Sequence, residues 1–262
     1  PQALGSREKE ACFFVDRDSH LYRASANVEQ GLDLYKNQFV LPEGSRPQVI
    51  LESTPGYVYQ KAALDHIPRL QNSPKCLFVL REPADQIRSL YTYFRNNWTY
   101  IPAEMRFADF LDAVETGSHA FGGNELACNA LRNACYADIL AQWRDRLGPD
   151  RMMVVTFDSL RDHPITLCKK ISGWVGLDPA FYADYGFPKE NESYTPRWRL
   201  LQRLNVAVRE RLPDGAAYRQ LRAVYRRINT SPGGEKLETR DEMSALRARF
   251  RSQNRRLAQE WD

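Results

Sequence analysis

Arg81 and Ser89 are the two side chains whose types and spacing most directly suggest chemistry. Arg81 follows the apolar run Cys76–Leu80, and Ser89 lies eight residues after Arg81. An arginine offers a rigid fork of N–H donors that matches phosphate oxygens, and a serine adds a neutral donor. The pair therefore predicts an anion-binding clamp. The alternative is a surface ion pair between Arg81 and Glu82, with Ser89 facing solvent.

A buried strand followed by a helix would position this clamp. The compact apolar run Cys76–Leu80 lies between Pro74 and Pro83, which favours a short strand over a helix. Pro83 suits the first turn of the following helix, because no backbone N–H is needed there. Arg81 would then leave the carboxyl end of the strand, where open α/β sheets bind their ligands.

Two further apolar runs complete the predicted sheet. Val49–Leu51 precedes a helical stretch at 62–70 and the strand at 76–80, so strand, helix and strand form a βαβ unit whose strands pair in parallel. Met152–Val155 is the third strand, and Phe157 lies just beyond its carboxyl end. The predicted fold class is α/β, a three-layer arrangement in which helices flank a parallel sheet.

Helical periodicity accounts for much of the remaining chain. Residues 125–147 are predicted as one long helix, and residues 96–123 as a surface loop with one short helix. The later helices carry apolar residues at spacings of three and four, which predicts apolar rows that face the core. These rows are Leu200, Leu204 and Val208, then Leu221, Val224 and Ile228, and last Met243, Leu246, Phe250, Leu257 and Trp261.

Length and composition are those of a globular chain with one large domain or at most two. The 262 residues are 43% hydrophobic and 27% charged, and no apolar run approaches the length of a membrane span. The five cysteines show no ligand spacing, so neither a metal site nor a disulfide framework is expected.

Residues 197–262 hold 15 Arg and one Lys against eight acidic residues, although the whole chain carries only +4. This basic helical C-terminal part could bind nucleic acid, an acidic glycan or an anionic cofactor, or it could be a solvated surface.

Four short segments share the order and residue types of one enzyme family: KEACFF at 9–14, ESTPGY at 52–57, LREPADQIRSLY at 80–91 and TFDSL at 156–160. They resemble motifs of the sulfotransferases that use 3′-phosphoadenosine 5′-phosphosulfate (PAPS), in particular the heparan-sulfate-type and related bacterial enzymes. In that family the third motif binds the 3′-phosphate of PAPS. Phe157 of the fourth segment could then contact the adenine ring, although a strand-end Phe is more often a core residue. The resemblance implies a single sulfotransferase domain over residues 1–262 with a P-loop-NTPase-like fold.

The resemblance also implies roles for five residues. Arg81 and Ser89 would bind the 3′-phosphate, and Arg197 would lie in a late nucleotide-binding loop. Glu10 would be the general base that deprotonates the acceptor hydroxyl, with Glu52 as the second candidate. Each has a plainer alternative: Glu10 as an exposed residue in a charged loop, Glu52 as a strand-end cap, and Arg197 as one more arginine in a basic helix.

The implied enzyme moves a sulfuryl group from PAPS, its co-substrate, to a hydroxyl of a carbohydrate, glycolipid or secondary-metabolite acceptor by in-line displacement, without a metal. The family's glycine-rich phosphosulfate loop would precede residue 1, so it lies upstream or has been lost. If it is lost, the chain would be a non-catalytic nucleotide-binding or scaffold domain. A nucleic-acid-binding protein that uses the Arg-rich helices is a further alternative, although nucleic acid is not the expected partner.

The expected partner is a small-molecule or glycan hydroxyl acceptor, and a soluble cytoplasmic protein is the expectation. Nothing in the sequence indicates an oligomeric state.

Overall fold

A computed structural model describes residues 2–187, 195–211, 216–231 and 238–261. Its strands are β1 (Ala3–Gly5), β2 (Val49–Leu51), β3 (Cys76–Leu80), β4 (Met152–Thr156), β5 (Thr195–Pro196) and β6 (Thr230–Ser231). Its α-helices are α1 (Leu32–Lys36), α2 (Lys61–His66), α3 (Pro83–Tyr93), α4 (Phe107–Thr116), α5 (Glu125–Cys128), α6 (Ala130–Asn133), α7 (Tyr136–Leu147), α8 (Phe157–Asp162), α9 (Pro164–Val175), α10 (Arg199–Arg211), α11 (Ala216–Asn229) and α12 (Arg240–Trp261). Mixed helices and parallel strands make this an α/β chain, as predicted.

The strands pair as three two-stranded sheets. β3 pairs with β4 in parallel, with Leu80 opposite Thr156, so both strands end at the same edge. β1 pairs with β2 in parallel, and β5 pairs with β6 in antiparallel fashion. The prediction that β2 and β3 pair with each other is wrong among the described strands, because β2 pairs with β1, for which no strand was predicted, and β3 pairs with β4.

The chain forms two compact units. The first comprises residues 2–81, 136–187 and 256–261. Its core gathers aromatic side chains from the segment at 13–14, from the turn before α2 and from α7. Its largest members include Phe13, Phe14, Tyr57 and Trp143. The indole N–H of Trp143 donates to the carbonyl of Val58 over 3.0 Å, which satisfies the one polar atom of that ring.

The second unit comprises residues 82–135 together with the described parts of 195–255. Its helix α3 begins as predicted: Pro83 occupies the first turn, and the Glu82 carboxylate accepts a hydrogen bond from the N–H of Asp85 over 2.9 Å. The core lies around Ile87 and Tyr91 of α3. Residues 96–123, predicted as a surface loop, supply much of that core, namely Ile101, Phe107, Phe110 and Phe121. The surface prediction for this stretch is wrong.

The predicted long helix at 125–147 is three helices. Asn129, at φ −107° and ψ 18°, separates α5 from α6, and Ala134 ends α6 before α7 begins. Asn124 caps α5 by accepting a hydrogen bond from the N–H of Ala127 over 3.1 Å. Asparagine side chains bond readily to nearby backbone and so compete with an uninterrupted helix. The apolar spacing detected helix but missed these breaks.

The apolar row of α12 faces the core as predicted, whereas the apolar rows of α10 and α11 do not. α12 buries Met243, Leu246 and Phe250, as its periodicity predicts. The apolar rows of α10 and α11 face outward instead, with Leu200 73% exposed and Val224 55% exposed. Within the described helices, none combines the length and apolar character needed to cross a bilayer.

Candidate functional site

Arg81 and Phe157 meet at the carboxyl edge of the β3–β4 sheet. Each is the first residue after its strand, and the two strands end opposite each other. The Arg81 guanidinium carbon lies 5.2 Å from the centroid of the Phe157 ring. Arg81 is half-buried, while Phe157 remains 38% exposed. A cation beside a partly exposed aromatic ring is suited to a ligand that has both a phosphate and a flat ring.

The local backbone explains why the Phe157 ring is open. Thr156 caps α8: its hydroxyl oxygen accepts a hydrogen bond from the N–H of Ser159 over 3.1 Å. The chain therefore turns from strand to helix at Phe157 instead of carrying that side chain into the core. Core burial, the more common fate of a strand-end phenylalanine, does not apply here.

Glu10 lies immediately before a segment, residues 11–16, whose backbone is held by side chains of residues 52–60. The N–H of Ala11 donates to the Glu52 carboxylate over 3.3 Å, and that of Cys12 donates to the Thr54 hydroxyl over 3.2 Å. Unlike Ala11 and Cys12, which are buried, Glu10 is exposed. The structure thus brings the two predicted acids, Glu10 and Glu52, to the same segment.

Tyr57 and Gln60 hold the later part of the segment at 11–16. The N–H groups of Phe13 and Phe14 donate to the Tyr57 hydroxyl oxygen over 2.8 and 3.3 Å. The N–H of Asp16 donates to the Gln60 side-chain oxygen over 2.7 Å. A segment with neither helix nor sheet hydrogen bonds is satisfied in this way by side chains, as buried backbone requires.

Burial has the largest effect on the pKa values of Glu52, beside this segment, and of Cys12, within it. It raises the pKa of Glu52 above its ordinary value, and the negative charge of Glu10 adds to this rise. Hydrogen bonds from the Thr54 hydroxyl, at 2.5 Å, and from Ala11 oppose it. Burial also raises the pKa of the Cys12 thiol, so that side chain is a neutral core group.

Replacing Tyr57 with phenylalanine is expected to destabilise the fold. The change removes the acceptor of two backbone N–H groups, each of which costs about 1–3 kcal/mol when it is buried without a partner. In a chain of this size each kcal/mol corresponds to about 2–4 °C in melting temperature. Thermal unfolding followed by circular dichroism should show a loss of several degrees. Tyr93→Phe, at an exposed tyrosine, is the matched control and should melt like the unchanged protein.

Replacing Glu52 with glutamine is expected to flatten the pH dependence of stability. Because its pKa is raised in the folded protein, the folded state holds the Glu52 proton more tightly than the unfolded state does. The stability contribution is therefore greatest below the unfolded pKa and falls as pH rises towards the folded pKa. Urea unfolding at a series of pH values should show this fall in the unchanged protein and in Glu43→Gln, an exposed control, but not in Glu52→Gln. If the unfolding free energy depended on pH in the same way in all three proteins, the raised pKa of Glu52 would be contradicted.

The two other predicted site residues belong to the second unit. Ser89 is half-buried on α3. Arg197 is exposed, its guanidinium carbon lies 4.8 Å from the Trp198 ring centroid, and its backbone N–H donates to the carbonyl of Asn229 over 3.0 Å. Their assignment to the cofactor stays a prediction. Across the described residues, no three His, Cys, Asp or Glu side chains form a group that could hold a metal ion.

Arginines of α12 are engaged in ion pairs. Arg247 lies 3.3 Å from the Asp85 carboxylate, and Arg249 lies 2.9 Å from that of Glu115. Arg256 lies 3.5 Å from Glu260 on the same helix. Part of the basic C-terminal charge is therefore neutralised by ion pairs at the protein surface, which reduces the positive charge that α12 can offer a polyanion.

Sequence comparison finds distant relatives whose names share one activity. The chain is 24% identical over 160 residues to human bifunctional heparan sulfate N-deacetylase/N-sulfotransferase 3; the match covers 59% of this chain and 18% of that protein. It is 23% identical over 182 residues to mouse heparan sulfate glucosamine 3-O-sulfotransferase 3B1, over 67% of this chain and 42% of that protein. The chain thus spans less than half the length of these relatives. No protein-family model matches it.

Structure comparison identifies the fold. The sulfotransferase from Alicyclobacillus acidocaldarius superimposes with a TM-score of 0.57 at 18% sequence identity, over 84% of this chain and 85% of that one. At that identity the likeness concerns the fold alone, which is the α/β fold of sulfotransferases. In its distant sequence matches and in its fold, the chain is therefore similar to sulfotransferases.

Proposed function

We propose that the chain is one sulfotransferase domain that transfers a sulfuryl group from PAPS to the hydroxyl of a carbohydrate, glycolipid or secondary-metabolite acceptor. The observation that carries the proposal is the contact between Arg81 and the exposed Phe157 at the carboxyl edge of the parallel sheet. Ligands of open α/β sheets bind at that edge.

The donor set at this edge suits the adenosine end of PAPS. The Arg81 guanidinium would pair with the 3′-phosphate through charge-assisted hydrogen bonds. The exposed part of the Phe157 ring would lie against the adenine ring, where an aromatic contact contributes about 0.5–1.5 kcal/mol. Both contacts use groups that are partly open to solvent.

Glu10 would act as the general base. Bound PAPS would supply the sulfuryl group, and the acceptor oxygen must lose its proton as it attacks sulfur. The Glu10 carboxylate is exposed and can reach a bound hydroxyl, whereas the Glu52 carboxylate already accepts hydrogen bonds from Ala11 and Thr54. Glu52 would therefore be a positioning residue that holds the segment behind Glu10.

The acceptor is proposed to be a glycan or a smaller hydroxyl compound. The relatives named for heparan sulfate favour a carbohydrate. Ser53 is exposed at a position where the resembling enzymes often have a lysine, so this chain offers no cation there for a heavily sulfated polymer.

Transfer of radiolabelled sulfate from PAPS tests this function. The protein would be incubated with labelled PAPS and a panel of acceptors: an unsulfated polysaccharide, a glycolipid and a phenol. We expect label on at least one acceptor, with an equal amount of 3′-phosphoadenosine 5′-phosphate (PAP) released. Tight PAP binding without transfer to any acceptor would favour a non-catalytic nucleotide-binding domain instead.

A further inference from the structure

The hairpin of α10 and α11, residues 197–229, combines high positive charge with apolar rows. The sequence of this hairpin holds nine arginines against one glutamate and one aspartate. The exposed side chains include Arg203 on α10 and Arg227 on α11. Apart from Arg197, a candidate for the nucleotide site, the sulfotransferase reaction proposed above needs no such surface, so the two helices call for a separate explanation.

α10 buries Gln202 and Val206 on its inward side. Gln202 is only 2% exposed, and its side-chain nitrogen donates to the carbonyl of Arg95 over 3.0 Å. Arg199 donates to the Asn96 side-chain oxygen over 3.1 Å on the same side of the helix. The opposite side carries the apolar row, with Leu200 73% exposed. The helix is thus anchored by polar groups and presents leucines outward.

α11 is held in a similar way. Tyr225 and Asn229 are buried, and the Asn229 side-chain amide donates to the backbone carbonyl of Trp198 over 3.1 Å. Leu221, Val224 and Ile228 are about half exposed, at 47%, 55% and 49%. Because the anchoring contacts are specific, the outward rows follow from how the helices are held.

Trp198 extends this surface. It precedes α10, is 48% exposed, and has the Arg197 guanidinium against its ring. Tryptophan and arginine side by side are typical of the boundary between water and lipid, where the ring sits among headgroups and the cation reaches phosphate.

The positive charge of this surface, together with its apolar rows, indicates which kind of partner can bind it. A second copy docked through the same face in a two-fold dimer would bring arginines against arginines. Nucleic acid would match the charge but offers no aliphatic medium for the exposed leucines, valine and isoleucine. An anionic bilayer surface matches both, because acyl chains take up the apolar side chains while acidic headgroups pair with the arginines.

We propose that this hairpin binds the surface of membranes that contain anionic lipid. The helices lie in the interface without spanning it, since basic amphipathic helices of this length bury only their apolar face. Such binding would bring the domain to acceptors displayed at a membrane.

Vesicle co-sedimentation tests the proposal. The protein would be spun with phosphatidylcholine vesicles and with vesicles of equal parts phosphatidylcholine and phosphatidylserine. We expect binding to the anionic vesicles that weakens with salt, and about tenfold or more weaker binding for Leu204→Glu or Val224→Glu. Both positions are exposed, so circular dichroism should show an unchanged fold. Val40→Glu, at a residue of the first unit that is 61% exposed, is the matched control and should bind like the unchanged protein.

Several results would overturn the proposal. One is no sedimentation with anionic vesicles, and another is sedimentation that Leu204→Glu and Val224→Glu leave unchanged. A dimer in analytical ultracentrifugation that dissociates in Leu204→Glu would identify a second copy as the occupant. Duplex DNA or RNA binding that exceeds vesicle binding and persists in Leu204→Glu would identify nucleic acid.

Discussion

Replacing Arg81 with alanine is expected to weaken PAP binding about tenfold or more. A hydrogen bond between a charged donor and a phosphate contributes about 1.5–3 kcal/mol, which corresponds to at least one order of magnitude in affinity. The guanidinium is half-buried against Phe157, which holds the donor at the strand end. Isothermal titration calorimetry with PAP measures the loss.

Two variants sharpen that measurement. Arg81→Lys keeps the charge but loses the planar fork, so it should recover only part of the affinity. Lys75→Ala removes an exposed cation at the opposite end of the same strand and should bind PAP like the unchanged protein. Equal affinities for Arg81→Ala and Lys75→Ala would remove Arg81 from the nucleotide site.

Replacing Glu10 with glutamine is expected to lower the turnover of sulfuryl transfer by about 100-fold or more, because general base catalysis contributes about 10²–10⁴-fold. Glutamine has nearly the same shape but cannot accept the proton of the acceptor hydroxyl. PAP affinity should not change, since the carboxylate acts on the acceptor. The labelled-sulfate assay gives kcat, and calorimetry gives the affinity.

The matched control for this variant is Glu43→Gln, at an exposed acid elsewhere in the first unit. It should turn over like the unchanged protein. If Glu10→Gln also does so, Glu10 is not the base. If Glu52→Gln then shows the larger loss, the second candidate takes that role.

The sequence predicted the elements that carry strong local signals. β3 and α3 were found because a compact apolar run meets a proline at the helix start. β1 was missed because three residues that include Gly5 have no periodicity of their own and become a strand only beside β2. The breaks at Asn129 and Ala134 were missed because apolar spacing continues across them.

The candidate site was predicted in its chemistry but not in its contacts. Residue types suggested an arginine for phosphate and two acids for proton transfer. The clamp of Tyr57 and Thr54 on the segment at 11–14 depends on hydrogen bonds between residues more than forty positions apart, which no local pattern reveals. The contact between Arg81 and Phe157 could have been inferred from the fact that both follow neighbouring parallel strands directly.

The apolar rows of α10 and α11, which face outward, could be predicted as rows but not in their direction. A period of three and four residues identifies an apolar stripe but does not say what covers it. Here Gln202 and Asn229 anchor the opposite sides of the two helices.

The central claim is that the carboxyl edge of the β3–β4 sheet recognises the 3′-phosphate of an adenosine nucleotide. Calorimetric titration of the unchanged protein with PAP and with adenosine 5′-monophosphate tests it most directly, because the two ligands differ only in that phosphate. The account predicts that PAP binds about tenfold or more tightly. Equal affinity for the two nucleotides would contradict it.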